Sequence, residues 1–130
     1  MIVLDTSVLV DALTGESGPG HSVRRMVADG VRFVVPSVVL FEWLRGPRTD
    51  DELQLQRTLF PDEQALPFGS AEADEAAALY RSHRRPRGRE VDLMIAAHAI
   101  TSGSPLWTLN RKDFTDIAGL ELVPEARRRP

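Results

Sequence analysis

Short apolar runs alternate with helix-patterned segments along almost the whole chain, and that alternation restricts it to folds in which helices cover a parallel sheet on both faces. Ile2 to Leu4 reads as a first buried strand, and Thr6 or Ser7 can cap a short helix carrying Val8, Leu9, Ala12 and Leu13. GESGPG at 15–20 breaks that helix, residues 21–28 look helical again, and Val31 to Val35 is a β-branched run suited to a buried strand. Pro36-Ser37 starts a helix, VVLFEWLR, that Gly46-Pro47 ends. Residues 50–59 predict another helix, 65–68 a brief strand, and SAEADEAAALYRSHRR a long helix with Ser70 as its cap. After the loop PRGRE come the helix DLMIAAHAITSG, a strand at 105–109, the turn NRKDF and a last strand near 120–123. The expected fold class is therefore α/β, with about five strands.

With 130 residues, 42% of them hydrophobic, the chain can bury one good core and is too short for two ordinary domains. Residues 1–124 are expected to form that domain, and EARRRP at 125–130 to be a frayed tail. No apolar run approaches the roughly 18 residues needed to span a bilayer, and the start lacks the basic n-region and small-residue cleavage site of a secretory signal. No membrane association is expected, and the cytoplasm is the expected location. The absence of cysteine excludes disulfides and thiolate metal sites, so any metal chemistry must use oxygen ligands. A net charge of −3 argues against coating nucleic acid by overall electrostatics, although it leaves room for a local basic face.

Four acids do not fit their surroundings. Asp5 follows a buried strand directly, at the end of the sheet where the crevice of such folds lies. Glu42 shares a helix face with Val38 and Val39, flanked by Phe41 and Trp43. Asp92 opens a helix whose next turns are almost wholly apolar, and Asp113 sits in the turn after the 105–109 strand, near the Asn110 amide and the Thr108 hydroxyl. Each has an ordinary alternative: Asp92 as a plain N-cap, Asp113 as a turn residue, Glu42 paired with Arg45. Asp5 has few structural uses. Together the four cannot all remain ionised unless a cation neutralises them or some take up protons. An all-oxygen set suits Mg²⁺ or Mn²⁺ better than zinc, and the three histidines are scattered, with His98 read as a packed core residue.

D-T-S after a first strand, a glutamate in a V-x-x-x-E-W-L-R-like helix, D-L-M-I-A-A-H-A and T-L-N-R-K-D-F, in this order and spacing, resemble the PIN-domain family and within it the VapC-type ribonuclease toxins. The resemblance runs from Ile2 to about Val123. It implies a three-layer α/β/α sandwich around a central parallel sheet and a Mg²⁺- or Mn²⁺-dependent endoribonuclease site. Carried over by motif, the catalytic acids are Asp5, Glu42, Asp92 and Asp113, with Thr6, Ser7 and Asn110 as supporting polar groups. Asp5 and Asp92 are expected as direct or near-direct metal ligands, with Glu42 and Asp113 completing the shell through waters. Asp116 is an alternative for the fourth position, Glu90 could stand in near Asp92, and Asp11 lies at the rim. The resemblance also implies a cognate antitoxin, received near the 50–59 helix, and a homodimer.

An acidic crevice needs a basic surround to hold RNA. Arg111 and Lys112, in the turn of Asp113, and Arg45 and Arg48, after Glu42, are the candidate phosphate contacts. RSHRRPRGR at 81–89 is denser, but such runs are commonly only solvated, and cations are favourable where a helix ends. Trp43 and Trp107 could stack bases, a role that core packing more often displaces. Two rival readings remain. A catalytically silent PIN domain that binds RNA or protein would lack a central acid, and all four are present. A phosphoryl-transfer domain with Asp5 as nucleophile would place a second acid where Ser7 stands.

Overall fold

The computed structural model describes residues 1–15 and 17–124; the expected 125–130 tail lies outside them. Strand β1 (Ile2–Leu4) leads into helix α1 (Thr6–Leu13), a 3-10 turn (Pro19–His21), helix α2 (Ser22–Ala28) and strand β2 (Phe33–Val34). Helices α3 (Ser37–Arg45), α4 (Asp50–Leu59), α5 (Ser70–Ser82) and α6 (Glu90–Ser102) follow, with strand β3 (Leu106–Trp107) and a 3-10 turn (Arg111–Asp113) at the end. No helix among the described residues is long and apolar enough to cross a membrane.

The sheet is parallel with order β2-β1-β3, pairing Val3 with both Val34 and Leu106. Among the described residues it has three strands rather than the expected five. The other two positions survive as single bridges, Pro36 with Leu66 and Leu106 with Leu122, which extend the ladder by one chain on each side. Proline explains part of the brevity: it has no N–H to donate, Pro36 lies two residues beyond the end of β2, and Pro105 precedes β3 directly. Central β1 is covered on both faces, and Val3 and Leu4 are fully buried.

From β1 the chain steps outward to β2 and then to Leu66, and it returns across the sheet to β3. Right-handed crossovers place helices made on the outward path and on the return on opposite faces. Packing agrees, since α1 lies against α2, α3 and α4, whereas α5 packs chiefly on α6. The switch in direction falls between β1 and β3, so the loops that leave their carboxyl ends diverge and open a crevice.

Local chemistry accounts for most element boundaries. Helix α4 spans the predicted 50–59, because the Thr49 hydroxyl accepts from the Glu52 N–H (3.1 Å) while Glu52 accepts from the Thr49 N–H (2.9 Å). Helix α5 is not capped by Ser70. Its N-cap is Gly69, whose N–H donates to Glu72 at 3.1 Å, and the helix stops at Ser82. Helix α6 starts at Glu90, so Asp92 occupies the third helical position and is not the cap. Its Leu93 and the stretch from Ile95 to Ala99 are buried, and His98 packs edge-on against Phe68 with ring centroids 5.5 Å apart. Burial holds the His98 pKa below the usual imidazole range.

Candidate active site

Beyond the carboxyl ends of β1 and β3 lies an open cavity of about 510 Å³. Asp5, Glu42 and Asp92, from the β1–α1 junction, α3 and α6, all line it, together with Thr6, Ser7 and Asn110. Residues 37 to 87 positions apart in sequence thus face one volume because parallel strands and their crossovers converge at this end.

Asp5 is almost fully buried, and its Oδ2 accepts from the Ser7 hydroxyl at 2.8 Å and the Thr108 hydroxyl at 2.7 Å. Each hydroxyl also accepts a backbone N–H, Ser7 from Leu109 (3.0 Å) and Thr108 from Asn110 (2.9 Å). The end of β1 is thereby stitched to the end of β3. The Thr108 hydroxyl therefore serves Asp5 rather than Asp113, a pairing across the sheet that local spacing could not reveal. The expected hydroxyl cap of α1 is absent: the N-cap is Asp5, and Thr6 and Ser7 turn to carboxylates instead. Thr6 donates to Glu42 Oε1 at 2.5 Å, and Glu42 Oε2 pairs with the exposed Arg45 at 3.3 Å. Glu42 thus makes the ordinary ion pair and still faces the cavity.

Asp92 has its pKa pushed up to about 6, first by burial and then by the carboxylates of Asp5, Asp113 and Glu42, with only Arg89 opposing. Asp113 does not line the cavity, but its charge reaches Asp92. Among the described residues, no three acidic or histidine side chains already form a complete ligand set. The donors still fit a hard divalent ion, since they are carboxylate oxygens with crowded negative charge, and Mg²⁺ typically uses one or two carboxylates and keeps several waters.

Residues 2–120 match the PIN domain family. The chain belongs to the PIN-domain family. Ribonuclease VapC1 of Rickettsia felis is 32% identical to it over 94% of each chain. Among solved structures, the DNA-bound VapBC of Salmonella typhimurium has a TM-score of 0.77 at 21% identity, over 94% of this chain and 96% of that one. A toxin-antitoxin complex from Klebsiella pneumoniae has a TM-score of 0.66 at 21% identity, over 92% and 95%.

The remaining candidate residues of this PIN domain divide by what they touch. Asp11 lines the cavity and accepts the Gly20 N–H at 2.5 Å, and the α1 backbone at Val8 and Ala12 leaves no room for a side chain at position 20. Arg48 lies 4.1 Å from the Trp43 ring and donates to the Trp43 carbonyl, so it is engaged in packing. Trp43 is fully buried and Trp107 packs on Phe33, so neither is an open stacking platform. Arg111 donates to the Val123 carbonyl at 2.6 Å, and Lys112 is exposed. Glu90 accepts the Gly88 N–H at 3.2 Å and borders a different groove between α5 and α6. Asp116 is held by Arg89 at 2.8 and 3.1 Å and by His83 at 3.0 Å, and Arg89 keeps its pKa below the usual carboxylate range. Arg89 also donates to the Asp113 carbonyl. Sequence reading missed this clamp; its only trace was an arginine-rich run ending just before Asp92.

Proposed function

We propose that the chain is a metal-dependent endoribonuclease of the VapC type, using Mg²⁺ or Mn²⁺ and restrained by a cognate antitoxin. The observation that carries this reading is the meeting of Asp5, Glu42 and Asp92 around one open cavity at the switch point of the sheet. The ribonuclease relative and the toxin-antitoxin complex of like fold support the substrate class and the partner.

A divalent ion supplies a nucleophilic water at neutral pH and offsets charge gathering on the phosphodiester. Asp5 and Asp92 are the residues that would hold it. Ser7 and Thr108 fix the Asp5 carboxylate through Oδ2, and its other oxygen would remain to hold the ion. Thr6 orients Glu42, which with Asp113 would add negative charge around the ion. Residues 1–124 constitute the catalytic domain. The exposed Phe41 and Leu44 on α3 give a protein partner apolar surface close to the site.

Expression in cells tests the whole reading. Growth arrest with new RNA ends at a few sites, relieved by the antitoxin and absent for Asp5→Asn, is the expected result. Unchanged growth and RNA would overturn it.

A further inference from the structure

The acidic cavity repels the phosphate chain that it is read as cutting, so the enzyme needs cations placed to capture RNA close by. Arg84, Arg85 and Arg87 are exposed, and among the described residues their side chains have no hydrogen-bond or ion-pair partner. They also lie beyond the end of α5, which stops at Ser82, so the last turn of that helix does not account for them.

Both ends of their loop are fastened to Asp116, in the turn that begins at the cavity-lining Asn110. At one end, the His83 ring accepts the Arg85 N–H through Nδ1 at 3.1 Å, and its Nε2 lies 3.0 Å from Asp116 and 2.8 Å from Arg89. At the other, Arg89 grips both Asp116 oxygens and the Asp113 carbonyl. Arg89 immediately precedes α6, and its charge acts on Asp92. Chain length adds a bound: four residues span at most about 14 Å, so Arg85 and Arg87 stay within that distance of Arg89 along the backbone. Among the described residues, three unpaired guanidinium groups are therefore carried by a loop that is pinned at both ends and that leads into Arg89, whose charge acts on Asp92.

We propose that Arg84, Arg85 and Arg87 form an RNA-phosphate arm that holds single-stranded substrate beside the cavity, fastened there by the clamp of His83 and Arg89 on Asp116. The arm rests on the ribonuclease reading for its ligand. An acidic segment of a protein partner is the competing occupant. RNA is favoured because the arm adjoins the acids, where phosphate must be brought against local repulsion.

The test is fluorescence-anisotropy binding of a short single-stranded RNA without divalent ions across a KCl series, together with cleavage kinetics. For the triple variant R84Q/R85Q/R87Q the slope of log K against log salt should fall by about 2, near 0.7 for each lost phosphate contact. Its loss of cleavage should fall on KM rather than kcat. The variant R25Q/R32Q, changed at arginines toward the opposite end of the sheet, should keep the wild-type slope. Asp116→Asn, which frees the loop but keeps its charges, should weaken binding with less change in slope. An unchanged slope in the triple variant overturns the proposal, as does a triple variant that loses only antitoxin binding. RNA binding through the arm with no cleavage on adding metal would leave the arm standing and remove the nuclease reading.

Discussion

Asp92 is held near pKa 6 because burial and three other carboxylates disfavour its charge. A carboxyl with a higher pKa folded than unfolded binds more protons in the folded state between about pH 4 and 6, so stability falls as pH rises through that window. The full shift corresponds to about 3 kcal/mol, and discounting for solvent screening at a half-buried site leaves about 1–2 kcal/mol. Asp92→Asn should therefore stabilise the metal-free protein by that amount at pH 7 while removing activity, with the gain gone near pH 4; thermal unfolding with chelator measures both. Thr108 carries the opposite sign. It is buried and bonded to Asp5 and the Asn110 N–H, so Thr108→Val should cost about 1–3 kcal/mol and lower the cleavage rate, with Thr108→Ser restoring both. Asp5, Glu42 and Asp92 were legible because a charge beside apolar neighbours is a local signal. The partner of Thr108 was not, because that hydrogen bond spans 103 residues.

Among the elements, α4 shows what local chemistry can determine. Thr49 and Glu52 satisfy each other's backbone N–H groups, and the predicted and observed limits agree. Thr49→Ala should cost about 1 kcal/mol in urea unfolding, with little change in cleavage by a well-folded sample. Strand β1 was read with its observed limits, but the later strands were less legible: apolar runs of four or five residues marked them, yet ladder pairing covers two residues in β2 and β3 and single bridges at Leu66 and Leu122. Apolar pattern reports burial, whereas pairing needs N–H donors that Pro36 and Pro105 lack. The start of α6 was misplaced for a related reason, since Arg89 and Glu90 look like loop until the clamp on Asp116 ties them to the turn at 110–116. If that clamp fixes the turn to α6, Arg89→Gln should lower cleavage, and Arg89→Lys should recover only part, because one ammonium cannot span both Asp116 oxygens and the Asp113 carbonyl.

For the molecule as a whole, alternation along the sequence carried most of the argument. It implied a parallel sheet with a crevice at one end, and the order β2-β1-β3 puts the switch point beside Asp5. Which acids meet there follows from topology, which is why three of the four line the cavity while Asp113 acts from the neighbouring turn. The central claim is that these carboxylates seat a hard divalent ion for RNA cleavage. The most direct measurement is hydrolysis of a defined single-stranded RNA by purified protein with Mg²⁺, with Mn²⁺ and with chelator, beside Asp5→Asn and Asp92→Asn. Metal-dependent cleavage by the wild type, slowed at least about 100-fold in both folded variants, is the predicted result. Wild-type rates in both variants, or undiminished cleavage in chelator, would contradict it.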